Sequence, residues 1–151
     1  MQYREATLND IPALRQLEQG VIDAERPFNS KIKSQGVMYY DLNALISNDN
    51  SQLLVLEHEG ELVAAGYVQI RDAKPYFTHS QIGYLGFMFV TPSLRGQGIN
   101  KHIMQQLMEW GKTKGVCDFY LDVYARNEAA IKAYEKLGFK ANLVEMRATL
   151  D

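Results

Sequence analysis

The sequence predicts an α/β fold, and three stretches carry that prediction. Residues 52–58 and 61–72 are two β-rich runs separated by Glu59-Gly60, the pattern of an antiparallel hairpin with a glycine turn. Residues 84–90, reading YLGFMFV, have the composition of a third strand, which Thr91-Pro92 brings to a stop because proline supplies no ladder N–H. Behind that strand, RGQGIN at 95–100 leads into Ile99, Ile103, Leu107 and Trp110, one apolar helical stripe at spacings of four, four and three. A strand, a glycine loop and a helix in that order make an anion site. Glycine lets backbone N–H groups approach a ligand closely, and the first helical turn adds unpaired N–H donors and the positive end of its dipole.

The remaining elements follow in chain order. Residues 2–6 make a short first strand. Thr7-Leu8-Asn9-Asp10 offers caps ahead of Ile11-Pro12, so the first helix starts near residue 10, with Ile11, Leu14, Leu17, Val21 and Ile22 at helical spacing. Gly20 is expected to end or loosen this helix before a loop at Glu25-Arg26-Pro27-Phe28. A second helix is expected over 37–46, with Met38, Leu42, Leu45 and Ile46 on one side and a polar cluster at 47–51 closing it; Tyr39 and Tyr40 either line a pocket or pack at its end. A polar loop from 72 to 80 follows the hairpin. The helix after the glycine loop is expected to end near 111–115, residues 118–124 to form another strand, residues 127–137 a third strong helix stopped by Gly138-Phe139, and residues 143–149 a final strand. Without repeats, low-complexity segments or a linker, residues 1–151 read as a single domain.

A chain of 151 residues with 46% hydrophobic content can bury a full core without disulfides or metals. Its 18 acidic and 16 basic residues give a net charge of −2, which offers no general attraction to nucleic acid or to an anionic membrane. The single cysteine, Cys117, cannot form an internal disulfide and reads as a small packed thiol in a reducing compartment. No apolar run approaches the ~20 residues needed to cross a bilayer, and no signal core opens the chain, so a cytoplasmic protein is expected. His58, His79 and His102 lack metal-ligand spacing, and no metal is expected. There is no G-x-S-x-G elbow or H-E-x-x-H helix to support a hydrolase.

The stretch at 84–110 resembles the acyl-CoA signature of the GCN5-related N-acetyltransferases (GNAT), a strand followed by R/Q-x-x-G-x-G/A, here Arg95-x-x-Gly98-x-Asn100. The last position departs from the pattern: Asn can hold a left-handed backbone or cap a helix, but its side chain takes room that Gly or Ala leaves. Asn127-x-x-Ala130-x-x-x-Tyr134-x-x-x-Gly138-Phe139 is similar to the N…A…Y…GF pattern of the family's late helix. At ~100° per residue, Asn127 and Tyr134 share one helical face. The resemblance covers nearly the whole chain. It implies the GNAT, or acyl-CoA N-acyltransferase, fold: a mixed, mostly antiparallel central sheet flanked by helices, in which the Tyr84 and Asp118 strands run parallel and splay apart.

The resemblance also implies acetyl-CoA as co-substrate. Its pantetheine would hydrogen-bond to backbone near Met88, Phe89 and Val90 and to Asn127. Its pyrophosphate would sit on the loop of Arg95, Gly96, Gln97, Gly98, Ile99, Asn100 and Lys101, with Arg126 and Lys132 nearby or on a solvated face. The implied reaction is direct acetyl transfer to a primary amine, on a small molecule or on a protein N-terminus or lysine. An amine with pKa ~10.4 is almost wholly protonated near neutrality, so a base or ordered water must take its proton. Asp122, between Leu121 and Val123, is the candidate, matching a strand position where the family can hold a glutamate base; otherwise it bonds backbone or Arg126. A backbone N–H of the 84–90 strand would receive the oxyanion, and the Tyr134 hydroxyl would protonate the thiolate. Glu25, Tyr39, Tyr40, Asp72 and Tyr76 are expected to flank the acceptor entrance. The alternative is a non-catalytic acyl-CoA-binding sensor of the same fold, as monomer or homodimer in either case. A nucleotide-binding reading lacks the lysine and hydroxyl residue of a P-loop.

Overall fold

The computed structural model describes all 151 residues, which divide into two compact units, Met1–Leu121 and Asp122–Asp151. In the first, a sheet runs in the order β1 (Gln2–Glu5), β2 (Ser51–His58), β3 (Glu61–Asp72), β4 (Gln81–Val90) and β5 (Phe119–Tyr120). β1 to β4 are antiparallel neighbours, and β4 and β5 are parallel. A parallel pair needs a crossover, and α3 (Ile99–Thr113) supplies it. The mixed, mostly antiparallel sheet is therefore present as expected.

Strand alternation sorts the core into two layers. Leu53, Val55, Ala65 and Tyr67 face α1 (Ile11–Glu25) and α2 (Leu42–Ser47), where they cluster with Leu14, Leu17, Val21, Leu42 and Leu45. Gly66, pointing the other way, meets Ile103 of α3, whose Met104 and Leu107 are also fully buried. Arg4 ties β1 to the start of α1 and to β2, donating to Asp10 at 2.8 and 2.9 Å and to Glu57 at 3.0 Å.

Four expectations need correction in this unit. α1 runs unbroken through Gly20, because the glycine is a packing cut-out: a Cβ there would lie 2.6 Å from Cζ of Phe89. α2 begins only at Leu42. The backbone N–H groups of Tyr39 and Tyr40 bond the Glu18 carboxylate instead of turning into a helix, and Asp41 caps the helix by accepting from Ala44 at 3.1 Å. β5 spans two residues rather than the expected 118–124, since its ladder to β4 consists of Gly83↔Phe119 and Tyr84↔Tyr120. Its Phe119 ring is wedged where Gly83 and Gly111 leave out side chains. Cys117 is exposed rather than packed.

The second unit contains one helix, α4 (Glu128–Lys136). The final strand expected over 143–149 does not form. Those residues find no ladder partner, and β-rich composition alone does not hold an isolated extended segment.

Gly20→Leu tests the cut-out. Helix propensity alone favours the leucine by nearly 1 kcal/mol, but the Phe89 ring occupies the space. Urea denaturation should show a net loss of about 1–3 kcal/mol, the usual cost of overpacking; a gain would show that the ring moves aside freely.

Candidate active site

The glycine loop begins where β4 is tied off. Thr91 donates its N–H and its hydroxyl to the Val63 carbonyl at 2.8 and 2.9 Å, and Pro92–Leu94 make a single tight turn. Arg95 then folds back: its Nε donates to the Val90 carbonyl at 2.9 Å, and its guanidinium lies 5.5 Å from the Phe89 ring centroid. Gly96 and Gly98 follow at φ +81 and +80, a left-handed backbone that side chains rarely adopt, and no heavy atom comes within 4 Å of where a Cβ would be. Gly98 caps α3. His102 is the first residue whose N–H finds a helical acceptor there, on Gly98 at 3.0 Å, so the preceding amides point out of the helix end.

Asn100 does not fill this loop. Its amide nitrogen contacts Met104 Sδ one turn further on at 3.7 Å, which lays the side chain along the helix. Its Oδ1 is buried without a hydrogen-bond partner, and buried acceptors ordinarily have a donor. Backbone amides at a helix start, two bare glycines and an acceptor lacking a donor fit a ligand with phosphate and N–H or O–H groups, as a coenzyme A has.

Upstream, β4 presents backbone to the same region. Met88 packs over Gly66, its Sδ 2.8 Å from the absent Cβ, while Phe89 packs over Gly20, so successive side chains leave for opposite layers. Phe87, just before them, has φ +55 and is almost fully buried, and the β3–β4 register shifts between Ala65 and Tyr67. This is a bulge, and bulges re-aim side chains. β5 covers only Gly83 and Tyr84 of β4, so the 88–90 backbone lies beyond that ladder.

An acid and aromatic cluster adjoins the bulge. Glu18 is fully buried and accepts from the backbone N–H groups of Tyr39 and Tyr40 at 2.8 and 2.9 Å and from Arg15 at 3.0 Å; Arg15 also donates to the Tyr40 carbonyl. The Tyr40 ring stacks on Phe87 at 4.5 Å and meets Tyr39 and Tyr67 edge-on at 5.7 and 5.8 Å. Burial, with the nearby Glu25 carboxylate adding to it, pushes the Tyr40 hydroxyl far above the ordinary phenol range, so it stays protonated. Burial also raises Glu25 above the usual carboxylate value, against a hydrogen bond from Tyr39 that favours the ion. Of the five residues expected at the acceptor entrance, the fold brings Glu25, Tyr39 and Tyr40 together. Asp72 ends β3 opposite Gln81, and Tyr76 is 73% exposed beside Phe77 and Lys74.

In the second unit, Asn127 caps α4, its Oδ1 accepting from the Ala130 N–H at 3.2 Å. Asn127, Ala130, Ile131, Tyr134 and Leu137 are the less exposed positions, so Asn127 and Tyr134 do share a face. Gly138 at φ +96 turns the chain so that the Phe139 N–H reaches the Tyr134 carbonyl at 3.1 Å and the two rings meet edge-on at 6.2 Å. Asp122 is exposed and lies outside any strand, because the ladder stops at Tyr120; the expected carboxylate within an apolar strand is not what the fold shows.

The sequence profile of the acetyltransferase (GNAT) family matches residues 19–139, which contain both the glycine loop and α4. The chain belongs to this family. It is 33% identical over 93 residues to glucosamine 6-phosphate N-acetyltransferase of Trypanosoma brucei brucei, a match over 60% of this chain and 59% of that enzyme's length. A mutant of the BH1408 protein of Bacillus halodurans superposes with a TM-score of 0.87 over 99% of both chains at 24% identity. A predicted acetyltransferase of Clostridium acetobutylicum, solved with acetyl-CoA, superposes with a TM-score of 0.77 over 97% of this chain and 95% of that one at 20% identity.

In this GNAT chain, sequence reasoning missed Glu18, Tyr67 and Phe87. A signal for Glu18 was present: Leu14, Glu18, Val21, Ile22 and Glu25 share one helical stripe, so two carboxylates lie on the face that must be buried. No helix is long and apolar enough to cross a membrane.

Glu18→Ala should strip the 39–40 backbone of its acceptor and leave Arg15 without its pair. Unfolding free energy should fall by about 3 kcal/mol, the order seen when one partner of a buried, hydrogen-bonded charge is removed. An unchanged urea midpoint would show that the 37–41 segment is held by other means.

Proposed function

We propose that this chain is an acetyl-CoA-dependent N-acetyltransferase, one functional domain over residues 1–151, that moves an acetyl group directly to a primary amine. The observation that carries this reading is the loop at 95–101: two left-handed glycines and the outward amides of a helix start, closed by Arg95 against the end of β4. Family membership and a fold neighbour solved with acetyl-CoA support it. Bound there, acetyl-CoA would supply an acetyl thioester activated for attack by an amine.

The chain's own residues have distinct tasks in this reading. The amides of 96–101 hold phosphate charge, and the helix dipole adds to their attraction. The 88–90 backbone and the Asn127 amide orient the pantetheine arm. A backbone N–H of the same strand receives the oxyanion, whose negative charge develops only in the transition state, so this donor lowers the barrier rather than binding the ground state. Asp122, directly or through a water, takes the proton of an acceptor ammonium, and its exposure makes the water route open to it. The Tyr134 hydroxyl gives a proton to the departing thiolate. We place this work in the cytoplasm, where an exposed Cys117 stays reduced.

A screen of the purified protein with acetyl-CoA against amine classes, reading free thiol, tests the activity. Thiol release with an acetylated amine supports the reading; acetyl-CoA binding with no turnover on any amine would instead leave a sensor. Gly98→Glu places bulk and negative charge where a phosphate must sit. Calorimetry should show acetyl-CoA binding lost in a protein that still melts cooperatively, and retained affinity would move the cofactor elsewhere. Tyr134→Phe removes only a hydroxyl. Single-turnover rates should drop by roughly 10²-fold with acetyl-CoA affinity intact, whereas a rate equal to wild type would remove Tyr134 from proton transfer.

A further inference from the structure

Two carboxylates stand on the buried stripe of α1, and they are partnered differently. Glu18 is neutralised by Arg15 and by two backbone amides. Glu25, two turns on and half-buried, is bonded by the neutral Tyr39 hydroxyl, and no lysine, arginine or histidine forms an ion pair with it. The adjacent Arg26 turns away, to Asp23 at 3.5 Å and to the carbonyls of Lys33 and Ser34 at 2.9 and 3.5 Å. The side chains that act on Tyr40 besides Glu25 are Glu18, Tyr39 and Tyr67, none of them a cation, and the one arginine beside them, Arg15, is taken up by the Glu18 carboxylate and the Tyr40 carbonyl. A half-buried carboxylate without a counter-ion is costly unless a ligand supplies one.

The surroundings suit a cation. Tyr39 and Tyr40 set their rings edge to face at 5.7 Å, and aromatic faces attract cations within about 6 Å. Tyr40 in turn stacks on Phe87, the residue before the Met88 backbone, so the cluster is contiguous with the strand proposed to hold the thioester. We propose that Glu25, with the rings of Tyr39 and Tyr40, receives a cationic group of the acceptor, so that the enzyme selects amines of net positive charge and rejects phosphorylated ones. The inference rests on the acetyl transfer proposed above for its setting. Among the chain's relatives an enzyme of the opposite acceptor charge is named, the glucosamine 6-phosphate enzyme, which makes the choice a real one.

The test uses two probes, spermidine and glucosamine 6-phosphate, with wild type and Glu25→Gln, each saturated with acetyl-CoA for kinetics or with CoA for calorimetry. Wild type should bind and acetylate spermidine in preference. Glu25→Gln should raise the spermidine KM and Kd at least ~10-fold, the scale of one lost charge pair, while acetyl-CoA affinity stays the same and glucosamine 6-phosphate binds no worse. Glu25→Asp, which keeps the charge, should recover part of the loss. The spermidine KM of wild type should rise as pH falls through the raised Glu25 pKa, where the carboxylate protonates, and the Gln variant should lack that rise. If Glu25→Gln does not fold, Tyr39→Leu at a partly exposed position should show the same split between probes. Equal effects on both probes, or spermidine that neither binds nor reacts, would overturn the inference. Glu25-dependent spermidine binding without any acetylated product would leave it standing and defeat the proposed activity instead.

Discussion

A buried phenylalanine in the left-handed region of backbone space, Phe87 at φ +55, is the constraint on which the shape of β4 depends. A bulky residue there costs on the order of 1–3 kcal/mol, and burial of its ring, stacked on Tyr40, offsets that cost. With Phe87 so placed, the chain slips one residue against β3, Met88 goes to the α3 layer over Gly66, and Phe89 goes to the α1 layer over Gly20. Each of these side chains is received by a glycine. The main chain between them is thereby fixed from both faces without being used in the β5 ladder, which is the state a backbone needs if it is to recognise a ligand.

The same bulge couples the two halves of the proposed chemistry within the first unit. On its downstream side, Arg95 bonds the last carbonyl of β4 and sets the glycine loop at the head of α3. Upstream, Tyr67 lies across Gly86 and Tyr40 across Phe87, and Glu18 holds the Tyr40 backbone in place. The glycine loop and the acid and aromatic cluster are thus both referenced to one short run, 86–90. Substitutions of buried residues there should disturb both, because close-packed interiors transmit displacement.

Much of this was legible in the sequence, for reasons that differ by residue. The hairpin, α3 and α4 are local: their apolar periods and their caps, Gly98 and Asn127, stand within a few residues of the elements they define. The glycine loop was legible because few residues other than glycine tolerate φ near +80. Gly20 was misread because its reason is Phe89, 69 positions away in the chain. The helix expected over 37–46 loses its first part, 37–41, for a similar reason, since Glu18 takes the backbone donors of Tyr39 and Tyr40. Asp122 and the 143–149 segment show the limit of strand composition, which says what could pair but not whether a neighbour is there. Glu25 was named from its place in the chain, but its lack of a cationic partner is a property of the fold alone.

In the function proposed above, acetyl-CoA is read by the backbone at 96–101 and 88–90. Amide chemical-shift mapping of the labelled protein during titration with acetyl-CoA tests it most directly. The largest perturbations should fall at Gly96, Gly98, Asn100 and Lys101 and at Met88, Phe89 and Val90. A surface hollow of about 410 Å³ lined by Gln52, Leu54, His102, Gln105, Gln106, Glu109 and Trp110 offers a contrasting location. Perturbations centred on Gln105, Glu109 and Trp110, with the glycine-loop amides unmoved, would contradict the account.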